Sequence, residues 1–355
     1  MSSPLHRRRR LRFAHVLAAL AALIGVTAVA MAVRDHRRAA QAAADARFRA
    51  PFEATTFWRG NLHAHTNLTD GSGYAEDLYA WYYEHGYHFV AITDHNLRVS
   101  PDLFAPLEQP GVFLILPGEE ITMSAPNGVP VHVNAICHQS TIGGGEFPSV
   151  EAALRWAVAE VRAQGGVALV NHPNFFWALQ ASDMEHARGA QLLEIWSGHP
   201  GVRNEGDLFH PSSEAIWVEA LRAGELLAGA AVDDVHHLDA GPELSGPGRA
   251  WVEVFAERLT HEALCEALAA GHLYASNGVR LRRLAVRPQE LVVEVEDRGA
   301  VVQFLDARGL LAEQALPNGG TASYRLRGDE RWVRARISLP DGSRAWTQAY
   351  RTLAD

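Results

Sequence analysis

Histidines and carboxylates fall along this sequence in short, ordered groups. Gly60-Asn61-Leu62-His63-Ala64-His65-Thr66 sets two imidazoles two residues apart, and Asp70 follows five residues after the second. On a strand, residues two apart share a face, so both rings can reach one cation. Further along come Asp94-His95, Glu119-Glu120, His132, Asn171-His172 and Asp233-Asp234-Val235-His236-His237. Imidazole nitrogens and carboxylate oxygens without thiolates suit zinc, manganese or iron, in a reactive site rather than a closed structural one. Hydrolysis is the chemistry such a set supports. A divalent cation lowers the pKa of bound water from about 15.7 toward 7 and neutralises charge on a phosphoryl or acyl oxygen.

These residues are scattered over the chain, so the fold must carry them to one place. Apolar runs at Phe57–Leu62, His88–Thr93, Val112–Glu120, Val131–Cys137, Val167–Asn171, Leu192–Trp196 and Ala228–Asp233 read as strands. Helical stretches over Ala75–His85, Ser149–Gln164 and Ser212–Ala223 separate some of them, with Ser149 placed as a cap. Alternating helices and buried, non-alternating strands predict a parallel sheet covered by helices, and seven such runs predict a barrel. The polar groups then sit at strand ends, which in parallel β/α folds converge on one face. His132 is the exception, because it lies near the start of its run. From Thr260 the pattern changes. A helix over Thr260–Ala270 is followed by Leu291–Glu296, Val301–Leu305, Ala322–Leu326, Trp332–Leu339 and Arg344–Tyr350, which alternate with the two-residue period of antiparallel strands. Pro340-Asp341-Gly342 supplies a hairpin turn, and a small β-sandwich-like module is predicted.

Composition narrows the chemistry further. The 355 residues are 48% hydrophobic and 21% charged, as in globular chains, which excludes a disordered, collagenous or polytopic membrane protein. All 32 basic residues are arginine. Without lysine there is no Schiff-base chemistry, no pyridoxal phosphate attachment and no P-loop lysine. Net charge is −9, and the first 38 residues hold eight arginines and one aspartate, leaving 24 arginines against 40 acidic residues in the rest. Nucleic-acid binding is therefore not expected. The two cysteines, Cys137 and Cys265, have no paired spacing and exclude a disulfide framework and a cysteine zinc finger.

Residues Phe13 to Val33 form a mostly apolar stretch of about 31 Å as a helix, close to the bilayer core. Arg7–Arg10 and Arg12 precede it, and Arg34, Arg37 and Arg38 follow. The reading is an uncleaved transmembrane anchor with a cytoplasmic amino terminus and an exported remainder. Cleavage after a small-residue site such as Ala28-Val29-Ala30, giving a secreted or periplasmic protein, is the rival. The expected layout is residues 1–38 as basic segment and anchor, 39–55 as spacer, 56–280 as barrel and 281–355 as β module.

Taken in order, Ile92-Thr93-Asp94-His95-Asn96, Leu116-Pro117-Gly118-Glu119-Glu120, Val131-His132, Asn171-His172-Pro173 and Asp233-Asp234-Val235-His236-His237, with the His63/His65 motif, resemble the PHP (polymerase and histidinol phosphatase) superfamily of metallohydrolases. The segments Trp81–Asn96, Leu273–Gly278 and Ala345–Tyr350 more narrowly resemble its carbaryl-esterase-like branch. The resemblance implies a distorted seven-stranded β/α barrel, TIM-like, holding two or three divalent cations (Zn, Mn or Fe). By motif position, His63, His65, Glu120 and Asp234 would hold one, and Glu120 would bridge to a second held by His132 and His172. A third would use Asp70, His95 and His236. Glu120 is chosen over Glu119 because the pattern is glycine, any residue, glutamate. Glu120, Asp234 and His236 form the implied catalytic set, while Asp94, Asp233 and His237 orient ligands through hydrogen bonds. In the loops beyond the strand ends, Arg98, Arg203 and His199 are candidates to contact a small-molecule ester. The implied activity is hydrolysis of phosphate esters by a metal-bridging hydroxide, with carboxylic or carbamic esters as the alternative. A non-catalytic envelope-binding module is the reading from another class.

Overall fold

The computed structural model describes residues 52–99, 105–239 and 241–351, all in one compact unit. The expected anchor at 13–33 lies outside the described residues, and among the described ones no helix is long and apolar enough to cross a membrane. The architecture is mixed α/β. Its strands are β1 (Phe52–Ala54), β2 (Trp58–Asn61), β3 (Phe89–Ala91), β4 (Leu114–Leu116), β5 (Gly118–Ala125), β6 (Val129–Ile136), β7 (Val167–Val170), β8 (Leu192–Ser197) and β9 (Ala228–Val232). There follow β10 (Trp251–Val254), β11 (Leu273–Ser276), β12 (Leu281–Arg287), β13 (Glu290–Val295), β14 (Ala300–Asp306), β15 (Gly309–Leu316), β16 (Gly320–Arg325), β17 (Arg334–Ser338) and β18 (Arg344–Trp346). The helices are α1 (Ala75–Glu84), α2 (Val150–Ala163), α3 (Ser213–Ala223) and α4 (His261–Ala270).

Side-chain oxygens fix three of the helix starts: Ser149, Ser212 and Thr260 accept from the N–H groups of Ala152, Ala215 and Ala263. Such caps contribute about 1 kcal/mol each. Gly224 and Gly271 end α3 and α4 in the left-handed region, where a side chain would be strained.

The site-bearing strands fall in two sheets. One has the order β15-β14-β17-β18-β11-β10-β2-β3-β4, the other β5-β6-β7-β8-β9. β7 and β9 are buried on both faces, which is why their sequences do not alternate. The run Val112–Glu120, expected as one strand, is two: Pro117, which has no N–H to donate, separates β4 from β5. Gly118 lets the chain pass close beneath β3, since a Cβ there would lie 2.3 Å from the Ile92 carbonyl oxygen.

The all-parallel expectation does not hold. β2, β3 and β4 are parallel, as are β7, β8 and β9, but β6 runs antiparallel to both β5 and β7. A tight turn at Pro126-Asn127-Gly128, with Asn127 at φ 65 and Gly128 at φ 73, reverses the chain after β5. This reversal explains His132: the start of β6 lies beside the carboxyl ends of its neighbours.

Bridges at the strand ends join the two sheets. Ala64 pairs in parallel with Val235, and His95 with Glu120. The bonds that do this are His65 N–H to Val235 O (2.8 Å), Asp234 N–H to His63 O (2.9 Å) and Asn96 N–H to Glu120 O (2.8 Å). The segments that carry the candidate ligands are thus held together by backbone.

In the tail, the sheet β1-β12-β13-β16 and the strands β14 and β17 enclose an apolar cluster that includes Val293, Phe304 and Ile337. Phe52–Ala54, expected in the spacer, is a strand because Phe52 stacks on Phe255 and pairs with Val286. β18 pairs with β11, so one sheet runs on from the tail strands into β2.

The two cysteines form a disulfide between the end of β6 and α4, with Cα atoms 6.1 Å apart and a sequence separation of 128. No spacing signal betrays such a pairing, since only the fold brings residues 137 and 265 together. Closing a loop of this length stabilises by about 5 kcal/mol in the chain-entropy model. Reduction, or Cys265→Ala, is therefore expected to lower the thermal midpoint by on the order of 10 °C, measured by melts with and without reductant.

Candidate metal centre

His63 and His65 leave the end of β2 on one face, while Leu62 and Ala64 between and beside them are fully buried in apolar clusters. His63 Nε2 lies 3.1 Å from His65 Nε2. Asp234, just beyond β9, presents Oδ1 at 3.4 Å from both of these nitrogens. It does so with φ 53, a left-handed conformation sparsely used by residues other than glycine, of the kind that clusters where a side chain must be aimed.

Glu120 is the hub. Its carboxylate reaches His63 Nε2 (3.4 Å), His65 Nε2 (3.4 Å), His95 Nδ1 (2.9 Å), His132 Nδ1 (2.9 Å) and His172 Nε2 (3.4 Å). On the outer side, Asp70 meets His95 Nε2 at 3.2 Å and His236 Nε2 at 3.5 Å. Among the described residues, three groups are spaced to hold a cation: His65, Asp70, His95 and His236; His63, His65 and Asp234; and His63, Glu120 and His172. His65 occurs in two, yet a neutral imidazole has one lone pair to give. Its Nδ1 is buried without a hydrogen-bond partner, 3.6 Å from Asp70 Oδ1.

The ligand side chains are braced from behind. Glu194, buried in β8, accepts from His63 Nδ1 (2.7 Å) with one oxygen and from the His172 N–H (2.7 Å) with the other. Asn171 donates to Glu120 Oε1 (2.7 Å) and to Asn134 Oδ1 (2.9 Å), and Asn134 donates to the Leu62 carbonyl. Thr122 Oγ1 sits 2.6 Å from His95 Nδ1. Sequence reading passes over Glu194, Asn134, Asn171 and Thr122. The signal that could find the first two is a polar residue inside an apolar strand run, which must have a partner once buried.

Of the expected orienting groups, Asp94 accepts from Thr66 N–H and from the hydroxyls of Thr66 and Thr69, fixing the loop that carries Asp70. Asp233 accepts from the Tyr82 hydroxyl and from the N–H groups of Gly248, Arg249 and Ala250. His237 is held through its backbone N–H to Ser245 O. Glu119 points away from the cluster, onto His138 and the Ile142 and Gly143 N–H groups, as its opposite parity on β5 requires. His199 joins the cluster's edge, its ring 5.3 Å from that of His236. Arg98 spends its Nε–H on the His138 carbonyl, and Arg203 is exposed in the loop after β8.

Charge in this cluster is strongly coupled. Burial disfavours the charged form of His63, but Asp234, Glu194 and Glu120 outweigh it and raise the imidazole well above its usual value. Burial is likewise overcome at His95, which Asp70 and Glu120 push up to about 10. Against their burial, Glu120 is held well below the usual carboxylate range by His132 and His63, and Asp234 by His63 and His65. His65 moves the other way, burial prevailing over Asp234 and Glu120. Without a cation His63 and His95 thus carry protons that a cation must displace. Titrating zinc or manganese at pH 8 is expected to release protons, with affinity rising as pH rises toward the range where His95 loses its own. Calorimetry in two buffers of different ionisation enthalpy measures the release, and equal heats in both would contradict it.

No protein-family model matches this chain, and no curated protein matches it. Among solved structures, a two-domain protein from Bacteroides vulgatus containing a PHP-like metal-dependent phosphoesterase is similar over 83% of this chain and 95% of its own, at 15% identity and a TM-score of 0.47. A protein from Bifidobacterium adolescentis described as a metal-dependent phosphoesterase is similar over 60% of this chain and 96% of its own, at 18% identity and a TM-score of 0.43. An amidohydrolase from Chromobacterium violaceum is similar over 52% of this chain and 89% of its own, at 16% identity and a TM-score of 0.34.

Proposed function

We propose that the chain is a divalent-metal-dependent hydrolase of the PHP type, acting on phosphate esters, with β2 to β9 as its distorted barrel. The observation that carries this reading is Glu120: one buried carboxylate within 3.4 Å of five imidazoles, with Asp234 and Asp70 completing the neighbouring groups. The donor set fits divalent cations, since it is all nitrogen and carboxylate oxygen, and the orphaned His65 Nδ1 faces Asp70. His63, His65, Glu120 and Asp234 would hold one ion; Glu120, His132 and His172 a second; Asp70, His95 and His236 a third. Such ions supply a lowered pKa for water and counter-charge for an ester oxygen.

The chain's own residues do the rest. The two oxygens of Glu120 face different histidines, so a single side chain can tie two sites together at a fixed separation. Asn171 and Glu194 keep Glu120 and His63 from turning away. At the edge, His199 Nδ1 accepts from the Gly201 N–H (3.0 Å), which leaves the proton on Nε2 as a donor for a substrate oxygen. Burial and the nearby His236 lower this imidazole's pKa against Asp234, so the neutral form is the one present at neutral pH. The disulfide and the arginine-flanked stretch at 13–33 favour an exported, membrane-anchored enzyme.

A carboxylic or carbamic ester hydrolase is the second reading. It is favoured by Arg249, whose guanidinium donates to the backbone carbonyls of Gly198 and Gly241. The purified chain is expected to contain stoichiometric Mn, Zn or Fe by elemental analysis and to hydrolyse bis(4-nitrophenyl) phosphate faster than 4-nitrophenyl acetate. His63→Ala is expected to lower the phosphodiesterase rate more than about 100-fold. A faster acetate reaction moves the assignment to the second reading; absence of metal, or an unchanged rate in His63→Ala, removes both.

A further inference from the structure

An aromatic path leads outward from the cluster. The Phe175 ring lies 5.0 Å from His172, 6.5 Å from His132 and 5.9 Å from His199, and Phe176 packs on it edge-to-face at 4.7 Å. Phe176 is 77% exposed, and on the adjoining loop Leu208 and Phe209 are 95% and 87% exposed. Large apolar side chains left in water beside a polar centre mark a surface meant to be covered.

This wall is built rather than loose. Phe176 and Trp177 are consecutive non-glycine residues at φ 52 and 57, a strained conformation that persists only where the surroundings impose it. Buried Asn174 imposes it from one side, donating to the carbonyls of Arg203 and Pro211 at 2.9 Å each. Trp177 stacks on His210 at 4.1 Å and 6°, and Asp207 in turn accepts from the His210 ring and N–H. The outcome of the strain is to stand Phe175 against the metal-binding histidines and Phe176 beyond it.

We propose that Phe175 and Phe176 form a substrate subsite that takes a bulky, flat apolar substituent of the ester, beside His172. The occupant is a substrate group because the wall is continuous with the ligand histidines through His172. The proposal rests on the hydrolase reading for the word substrate, but its physical content can be tested without it.

Benzylphosphonate and methylphosphonate, titrated into the Mn-loaded full chain by calorimetry, share one head group and differ in the ring. The wild type is expected to bind the benzyl compound at least about 10-fold more tightly, and Phe175→Ala to reduce that ratio to within about twofold. A ratio near one in the wild type, or one unchanged in Phe175→Ala, overturns the subsite. Phe175→Leu, which keeps an apolar side chain in the loop, is expected to give an intermediate ratio and guards against misfolding of the alanine variant. A second arm uses 4-nitrophenol with metal-free chain: binding that Phe175→Ala abolishes supports the subsite even if neither phosphonate binds, an outcome that would count against the phosphate-ester reading alone. If Phe176→Ser and Phe209→Ser instead lower the amount of full chain bound to phosphatidylglycerol vesicles while the phosphonate ratio stays unchanged, the wall faces lipid and the proposal is wrong.

Discussion

Replacing Glu120 by alanine is expected to abolish hydrolysis, by more than about 1,000-fold, and to cut bound metal to one ion or fewer per chain. The size follows from how many partners one carboxylate serves. Its two oxygens lie at 2.9 Å from His132 and His95 and at 3.4 Å from His63, His65 and His172, so among the described residues no other carboxylate reaches as many candidate ligands. Stabilisation of transition-state charge by a bound cation amounts to several kcal/mol, and each 1.36 kcal/mol is a factor of ten. Loss of one cation therefore accounts for the expected factor, and loss of two exceeds it. Removing the charge has a further effect in the metal-free chain. Glu120 helps to hold His63 and His172 above their usual pKa, and without it both should titrate at lower pH, which proton-release calorimetry would register. The decisive comparison is Glu119→Ala. That neighbour braces the loop at Ile142 and Gly143 and faces His138, so it should lower stability while leaving metal content near the wild-type value. Equal metal loss in the two variants would mean that Glu120 acts through folding and not as a ligand.

The contrast between residues 119 and 120 also shows what a sequence makes legible. Alternation along a strand sends two adjacent glutamates to opposite faces, while the glycine, any residue, glutamate pattern of the resemblance is what selects Glu120. Helix starts are similarly local: Ser149, Ser212 and Thr260 announce them because a capping oxygen must precede the first turn. What depends on pairing between distant segments is not written in this way. The reversal of β6 hinges on a three-residue turn, and only with it does His132, opposite Thr122 in the β5–β6 ladder, fall beside Glu120. The strands β10, β11, β12 and β15 lack a pattern that sets them apart, since β15 is half-exposed along its length and β11 is wholly buried. The Cys137–Cys265 bond and the Phe175 wall belong to the same class, each made by segments distant in sequence that only the fold brings together.

Glu194 is the sharpest case of a residue hidden by its setting, and its replacement by glutamine should be nearly as damaging as by alanine. Within Leu192–Trp196 it reads as one charge in an apolar run, yet it is 1% exposed and both oxygens are engaged. One accepts from His63 Nδ1, which fixes the proton there and turns the Nε2 lone pair toward Glu120 and Asp234; the other accepts from the His172 N–H. Glutamine has the same shape but one acceptor. If its oxygen stays on His63, its NH2 confronts the His172 N–H, two donors face to face. If the amide flips, the NH2 donates to His63 Nδ1, the proton moves to Nε2 and the ring can no longer ligate. Both arrangements injure a different ligand, so Glu194→Gln is expected to weaken metal binding by about 10- to 100-fold, the usual cost of losing a partner behind a ligating histidine. Activity should be recovered in part by raising the metal concentration, whereas a variant that merely unpacks the strand would not respond to metal. Chelator competition on the two variants supplies the measurement. Glutamine within twofold of wild type, with alanine severely impaired, would reduce Glu194 to a packing residue and leave the orientation of His63 to its other neighbours.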